Sequence, residues 1–158
     1  MKLSLGWEQS IYVLLILSRL PDDKTLNSLA LSERLEVSQS YLKKIIKQLV
    51  NEGLIKSTAG KFGGFSLAKS LEEITFYDVF LAIEGRGKIF SSQQLLKKFL
   101  GKKEGAKAKK CAITNALDTI EVTLVKTLSN ISLAQVAKET QGNYTLVDLD
   151  KWIGEHDK

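Results

Sequence analysis

A chain of 158 residues falls within the usual size of one domain with an appended element, long enough to bury a sizeable core. With 44% hydrophobic and 26% charged residues it is neither disordered nor membrane-like in composition, and a net charge of +5 with an isoelectric point near 9.2 favours a polyanionic partner. The single cysteine, Cys111, excludes an intramolecular disulfide framework and cannot by itself hold structural zinc, so a reducing, cytoplasmic setting is expected.

The first element is a helix expected from Glu8 to Leu20. Ile11, Val13, Leu14, Leu15, Ile16 and Leu17 make it apolar nearly all round, as suits a helix buried between other elements or shared with a second subunit. Pro21 ends it, because the residue before a proline is pushed out of the helical region. The apolar run is too short to span a bilayer and lacks the flanks of a secretory signal, so no membrane partner is expected. Trp7, just ahead, reads as a packing anchor.

A shorter helix follows from Asn27 or Ser28 to Leu35, with Leu29, Ala30, Leu31 and Leu35 turned inward. Glu36-Val37-Ser38 then leads into a third helix, and the Ser38 hydroxyl is placed to accept from a free first-turn N–H. In that third helix Leu42, Ile45, Ile46, Leu49 and Val50 share one face, while Gln39, Ser40, Lys43, Lys44, Lys47 and Gln48 occupy the other. Two helices joined by a tight connection, the second amphipathic with a basic outer face, meet the needs of a helix-turn-helix. Gln39, Ser40, Tyr41, Lys43 and Lys44 then lie in the half that meets base edges, and Lys47 suits a phosphate. The plainer alternative is a surface helix with solvated lysines.

After Gly53 the period changes to that of strands. Leu54 to Thr58 and Gly64 to Leu67 form a hairpin with Ala59-Gly60-Lys61-Phe62-Gly63 as its turn. Its glycines permit positive φ and close approach of backbone to a ligand. Lys61 can meet a phosphate or enter a minor groove, with Phe62, Gly63 and Gly64 completing the tip. The spacing matches neither a P-loop nor a dinucleotide-binding turn. Helix, helix, hairpin is a winged helix-turn-helix.

Thr75 starts another helix with Asp78 as its capping partner, running to Glu84, which reads as a solvated terminus. Ser91 to Leu100 is weakly helical. Gly101 to Lys110 is rich in lysine and glycine and reads as an exposed loop, either merely solvated or adding phosphate contacts. From Ala112 to Leu128 a long amphipathic helix sets Leu117, Ile120, Leu124, Val125 and Leu128 on one face, widened by Ile113, Ala116 and Val122. At over about 20 Å this seam exceeds what a small winged domain covers alone, and it suits a two-fold dimer that sets two reading heads on one duplex. Ser132 and Gln135 form a capping-box signal for a helix from Leu133 to Glu139, broken by Gly142-Asn143. Tyr144, Leu146, Val147, Leu149, Trp152 and Ile153 make a terminal apolar cluster, Trp152 is expected to dock on the dimer core, and His156 reads as a solvated tail residue.

The expected fold is therefore mainly α with a small β-hairpin wing. A winged helix-turn-helix domain covers residues 1–86, a lysine-rich loop region 87–110, and a dimerisation helix with a helical tail 111–158. No nucleophile and base pair, acid dyad or metal constellation stands out, so neither an enzyme nor a metal site is expected.

Several short motifs together resemble the Rrf-type winged-helix regulators of bacteria: Leu31-Ser32-Glu33-Arg34, Ser40-Tyr41-Leu42, Asn51-Glu52-Gly53-Leu54-Ile55, the wing Gly60-Lys61-Phe62-Gly63-Gly64-Phe65, Ile74-Thr75, and Cys111-Ala112 through Ser132-Leu133-Ala134. That family includes the iron-sulfur cluster assembly regulator, the nitric-oxide-sensing repressor and the cysteine-metabolism repressor. The resemblance extends to about Glu139 and implies a homodimeric transcriptional regulator, a repressor by expectation. Double-stranded DNA is the partner it implies, with a protein effector as a further expected partner; the alternative is a protein-interaction module in which the winged fold binds a metabolic enzyme. Ser40, Tyr41, Lys43 and Lys44 fall in the reading helix and Lys61 to Gly64 in the wing. Cluster-binding members often carry an acid where Lys43 stands, which implies a different operator. They also use three cysteines. Cys111 aligns with the last, and the stretch from Ile89 to Lys110 holds no other, so no cluster and no cofactor are expected. Cys111 itself is open to two readings, a redox switch or a packing residue.

Overall fold

The computed structural model describes residues 3–93, 95–101 and 111–158; the expected lysine-rich loop from Lys102 to Lys110 lies outside the described residues. The described chain is mainly helical with one antiparallel hairpin, as expected: α1 Leu5–Leu17, α2 Ser28–Arg34, α3 Gln39–Asn51, β1 Ile55–Thr58, β2 Gly64–Leu67, α4 Phe76–Glu84, α5 Leu96–Leu100, α6 Ala112–Ser129, α7 Leu133–Asn143 and α8 Val147–His156. It divides into two compact units, Met1–Gly85 with Leu128–Lys158, and Arg86–Thr127. No helix among the described residues is long and apolar enough to cross a membrane.

The first unit is built around α3. Leu42, Ile45, Ile46 and Leu49 are buried and join Val13, Leu14 and Leu17 of α1, Leu31 of α2, Leu54 and Ile55 at the start of the hairpin, and Ile74, Val79, Leu133 and Ile153 in one cluster. Truncating any of the fully buried leucines to alanine costs about 2–5 kcal/mol by the usual transfer and cavity contributions.

α1 begins at Leu5 rather than Glu8, because Ser4 is anchored from outside. Its N–H and its hydroxyl both donate to Glu84 Oε1, at 3.0 and 2.8 Å. Glu84 is exposed, as a solvated terminus should be, and it also ties the end of α4 to the start of α1. Trp7 falls inside the first turn and meets Phe76 edge to face at 5.0 Å, as a packing anchor should. The helix ends at Leu17, short of Leu20, since the N–H groups of Arg19 and Leu20 reach back only three residues, to Ile16 and Leu17. Nor is it buried all round: Leu5 and Tyr12 are 72% and 50% exposed.

Asn27 caps α2, accepting from the Ala30 N–H at 2.8 Å. Leu29 points outward instead of inward, because in a seven-residue helix Ala30 and Leu31 already fill the covered side. Thr75 and Asp78 close a full capping box on α4. Ser132 makes only half of one on α7, since the Gln135 side chain turns to Glu139 at 3.2 Å. The two capped starts lie side by side, joined by Phe76 N–H to Ile131 O and Leu133 N–H to Ile74 O, at 2.9 and 2.8 Å. α7 runs through Gly142 to Asn143 instead of stopping at Glu139.

Trp152 docks within this first unit: the Arg34 guanidinium lies over its ring at 5.4 Å and the His156 ring stacks on it at 4.8 Å. His156 is correspondingly half-buried, with Nδ1 2.8 Å from the Trp152 carbonyl oxygen, and is not a solvated tail.

The second unit holds α5 and most of α6. α6 carries a ladder in which the hydroxyls of Thr119, Thr123 and Thr127 donate to the carbonyls of Asn115, Thr119 and Thr123, at 2.8–2.9 Å. With the hydroxyls turned back on the helix, their methyl groups face out.

Candidate nucleic-acid interface

The connection of Glu36, at φ 52°, and Val37 swings α3 away from α2, so that α3 covers its apolar stripe and leaves the opposite face open. On that face Ser40, Lys43, Lys44 and Lys47 are exposed at spacings of three, one and three residues. One helix side therefore presents a hydroxyl and three ammonium groups, and no ion pair to an acid of the described residues involves them.

The flanking residues are placed differently. Gln39 is half-buried, and Tyr41 sits at the shoulder of α3, 37% exposed. A Cβ on Gly6 would stand 3.2 Å from the Tyr41 hydroxyl and 3.4 Å from Ile45, so Gly6 is what lets α1 and α3 approach there. Ser38 occupies the N-cap position but makes no side-chain cap; its hydroxyl pairs with that of Ser40 at 3.0 Å. The first-turn N–H groups of α3 are thereby left without the expected serine cap.

The hairpin pairs Ile55 with Leu67 through Thr58 with Gly64, and its tip carries Lys61 and a 70%-exposed Phe62, the Lys61 ammonium 5.7 Å from the Phe62 ring centre. Gly60 takes φ 105°, a turn conformation that L side chains rarely adopt. The next two glycines serve internal crowding. A Cβ on Gly63 would collide with the Thr58 carbonyl oxygen, and one on Gly64 would lie 2.7 Å from both the Leu26 carbonyl oxygen and Thr25 Oγ1. Gly64→Ala is expected to cost about 1–3 kcal/mol by overpacking, read as a lowered melting temperature, whereas Gly87→Ala, where nothing lies within reach, should leave it unchanged.

Sequence reasoning missed Thr25 and Leu26, which anchor the wing from the α1–α2 loop. Leu26 exchanges main-chain bonds with Phe65 at 3.1 and 2.8 Å, and the buried Thr25 hydroxyl donates to the Phe62 carbonyl at 3.2 Å. It also missed Lys56 and Lys69, which line a cleft of about 470 Å³ beside the wing. Lys56 is exposed beside the buried Ile55, at the start of a strand whose remaining residues are all exposed.

Of the residues expected in the α6 seam, Ile120 is 59% exposed, Leu117, Leu124 and Val125 are half-buried, and Leu128 is covered within the chain. Ile113 and Val122 are more exposed, at 68% and 66%. Cys111 stands just ahead of α6, and the N–H groups of Thr114 and Ile113 draw its thiol pKa below the ordinary value. Among the described residues no cluster of three His, Cys, Asp or Glu side chains could hold a metal ion.

A family model described as Rrf2, iron-dependent transcriptional regulator, matches residues 3–139. A protein of Lactococcus lactis carrying the name of a candidate HTH-type transcriptional regulator, YffB, is 69% identical over 99% of this chain and all of its own length. A Bacillus subtilis protein named in the same way, YwgB, is 40% identical over 97% of this chain and 95% of its own. Among solved structures, CymR, the global cysteine regulator of B. subtilis, superposes with a TM-score of 0.66 at 19% identity over 89% of this chain and 98% of that one. T. potens IscR gives 0.66 at 20% over 92% of each. At such identities these structures speak to the fold.

Proposed function

The chain belongs to the Rrf2 family of transcriptional regulators, and we propose that it acts as a cytoplasmic, homodimeric, sequence-specific DNA-binding regulator that represses by occupying its operator. The observation that carries this reading is the open face of α3, where Ser40, Lys43, Lys44 and Lys47 are aligned opposite the core stripe, beside a wing tipped by Lys61 and Phe62. In this reading Ser40, Lys43 and Lys44 meet base edges in a major groove, with Gln39 and Tyr41 flanking. Lys47 and the α3 start around Ser38 meet phosphates, and the wing from Lys61 to Gly64 enters the adjoining minor groove.

The dimer is proposed through the exposed side of α6. Ile113, Ala116, Ile120, Thr123 and Thr127 alternate at three and four residues, the spacing of a helix-to-helix seam, and all are exposed in the single chain. Ile120 is common to this seam and to the one read in the sequence, whose Leu117, Leu124 and Val125 are half-buried and whose Leu128 is covered within the chain. The family description mentions iron, but the donors do not fit a thiolate-held cluster: the whole chain has one cysteine and one histidine, and two copies supply two thiols.

The test is selection of duplexes from a random pool by the full-length protein, followed by titration at several salt concentrations. A recovered inverted repeat, with affinity falling steeply with salt, is expected. Recovery of no enriched sequence sinks the reading.

The lowered thiol pKa of Cys111 supports a second, compatible reading in which the thiolate attacks hydrogen peroxide, the O–O bond breaks, and a sulfenic acid and hydroxide form, weakening DNA binding. Cys111→Ser should then bind the selected duplex normally and lose peroxide sensitivity; a variant as sensitive as the parent removes the switch.

A further inference from the structure

α8 lies beyond residue 139, where the family match ends, and it is fastened to the elements that carry the wing. Asp150 accepts from both Nε and Nη2 of Arg19, just past the end of α1, the second bond at 2.6 Å. Asp148 accepts from Arg34 of α2 at 2.9 Å, and Ile153 enters the core at 3% exposure. After the helix ends, Asp157 pairs with Lys24 at 3.2 Å. Lys158 then exchanges two main-chain bonds with Thr25, at 3.1 and 3.0 Å.

Thr25 is next to Leu26, the residue bonded to β2. Along an extended segment successive residues aim their N–H and C=O groups at opposite edges. The pair Thr25-Leu26 is therefore clasped, with β2 of the wing on one edge and the chain's residue 158 on the other, while the Thr25 hydroxyl holds the Phe62 carbonyl. The three ion pairs are exposed and individually weak. Ile153 and the main-chain pair fix the geometry.

We propose that α8 and Asp157-Lys158 are positioning elements for the wing: they hold the Thr25-Leu26 segment in place and so set where Lys61 and Phe62 stand for DNA. This inference rests on the reading of the hairpin as a DNA-contacting wing, and its test has one arm that needs no DNA. Hydrogen exchange would be followed in the free full-length protein, in Ile153→Ala and in Asp148→Asn/Asp150→Asn, a pair that leaves the core untouched. Exchange at Leu26 and Phe65 should accelerate roughly tenfold in the first and a few-fold in the second, with the Ile45 and Leu49 amides of α3 unchanged, as a local opening requires. No acceleration in either variant, or acceleration shared equally by α3, overturns the positioning role.

In the second arm, Ile153→Ala should lower affinity for the selected duplex about fivefold or more in the parent, and much less in a Lys61→Ala/Phe62→Ala background, because coupled residues are not additive. Equal losses in both backgrounds overturn the link to DNA. If the parent selects no duplex, the DNA-binding reading fails, while the exchange arm still decides whether α8 holds the wing.

Discussion

Replacing Lys43 and Lys44 with alanine, singly and together, should leave the chain folded and abolish discrimination among duplexes. Each single change is expected to cost roughly 1–3 kcal/mol on the preferred sequence, about 5- to 150-fold in Kd, and much less on unrelated DNA. Folding is spared because both ammonium groups stand on the exposed side of α3, opposite the buried Leu42, Ile45, Ile46 and Leu49. The magnitude follows from what is lost: a side chain donating to a base edge supplies both attraction and discrimination, whereas one neutralising a phosphate supplies attraction alone. A loss that is uniform across sequences, with the salt slope reduced by about 1 per lysine, would reassign the residue to the backbone. Lys138→Ala, on exposed α7, serves as the control for net charge and should change neither.

Why this face could be read from the sequence, while other features could not, depends on the range of the interactions involved. α3, the hairpin and α4 are specified within their own windows. The Leu42-Ile45-Ile46-Leu49 stripe repeats at helical spacing, Gly60, Gly63 and Gly64 mark the turn between the strands, and Thr75 finds Asp78 three residues on. Ser4 is different, because its partner Glu84 lies across the fold and nothing local marks the pair. The same holds for α8. Its tryptophan and isoleucine signal that something must be covered, but not that Arg34 would lie over the first and the core of the first unit would take the second. Gly63 and Gly64 show a subtler limit. The sequence marks them as places of close approach, and the chain's own carbonyls at Thr58 and Leu26 are groups that approach there. Leu29 illustrates a third case, where seven residues give too short a run for periodicity to say which leucine faces in.

The second large effect is expected at Ile120. Ile120→Asp sets a carboxylate in the middle of the proposed seam, where two copies would bring like charges together in an apolar contact from which water is excluded. Desolvation and repulsion then act together, and sedimentation should show monomers at concentrations where the parent is dimeric. The single chain should not suffer, since Ile120 is 59% exposed and makes little of its own core. Loss of the dimer makes each reading head bind alone. The second contact no longer benefits from the effective concentration set by the first, so affinity for a two-half-site duplex should fall about 10²- to 10⁴-fold, while a half-site duplex binds as before. Val122→Asp makes the comparison decisive. Val122 is similarly exposed but lies two residues away in a helix that turns about 100° per residue, on the far side from Ile120. It should leave both the dimer and the operator affinity intact. Dissociation by Val122→Asp with Ile120→Asp still dimeric would move the seam to the opposite side of α6, and a monomeric Ile120→Asp that binds the full site as tightly as the parent would remove the two-headed arrangement altogether.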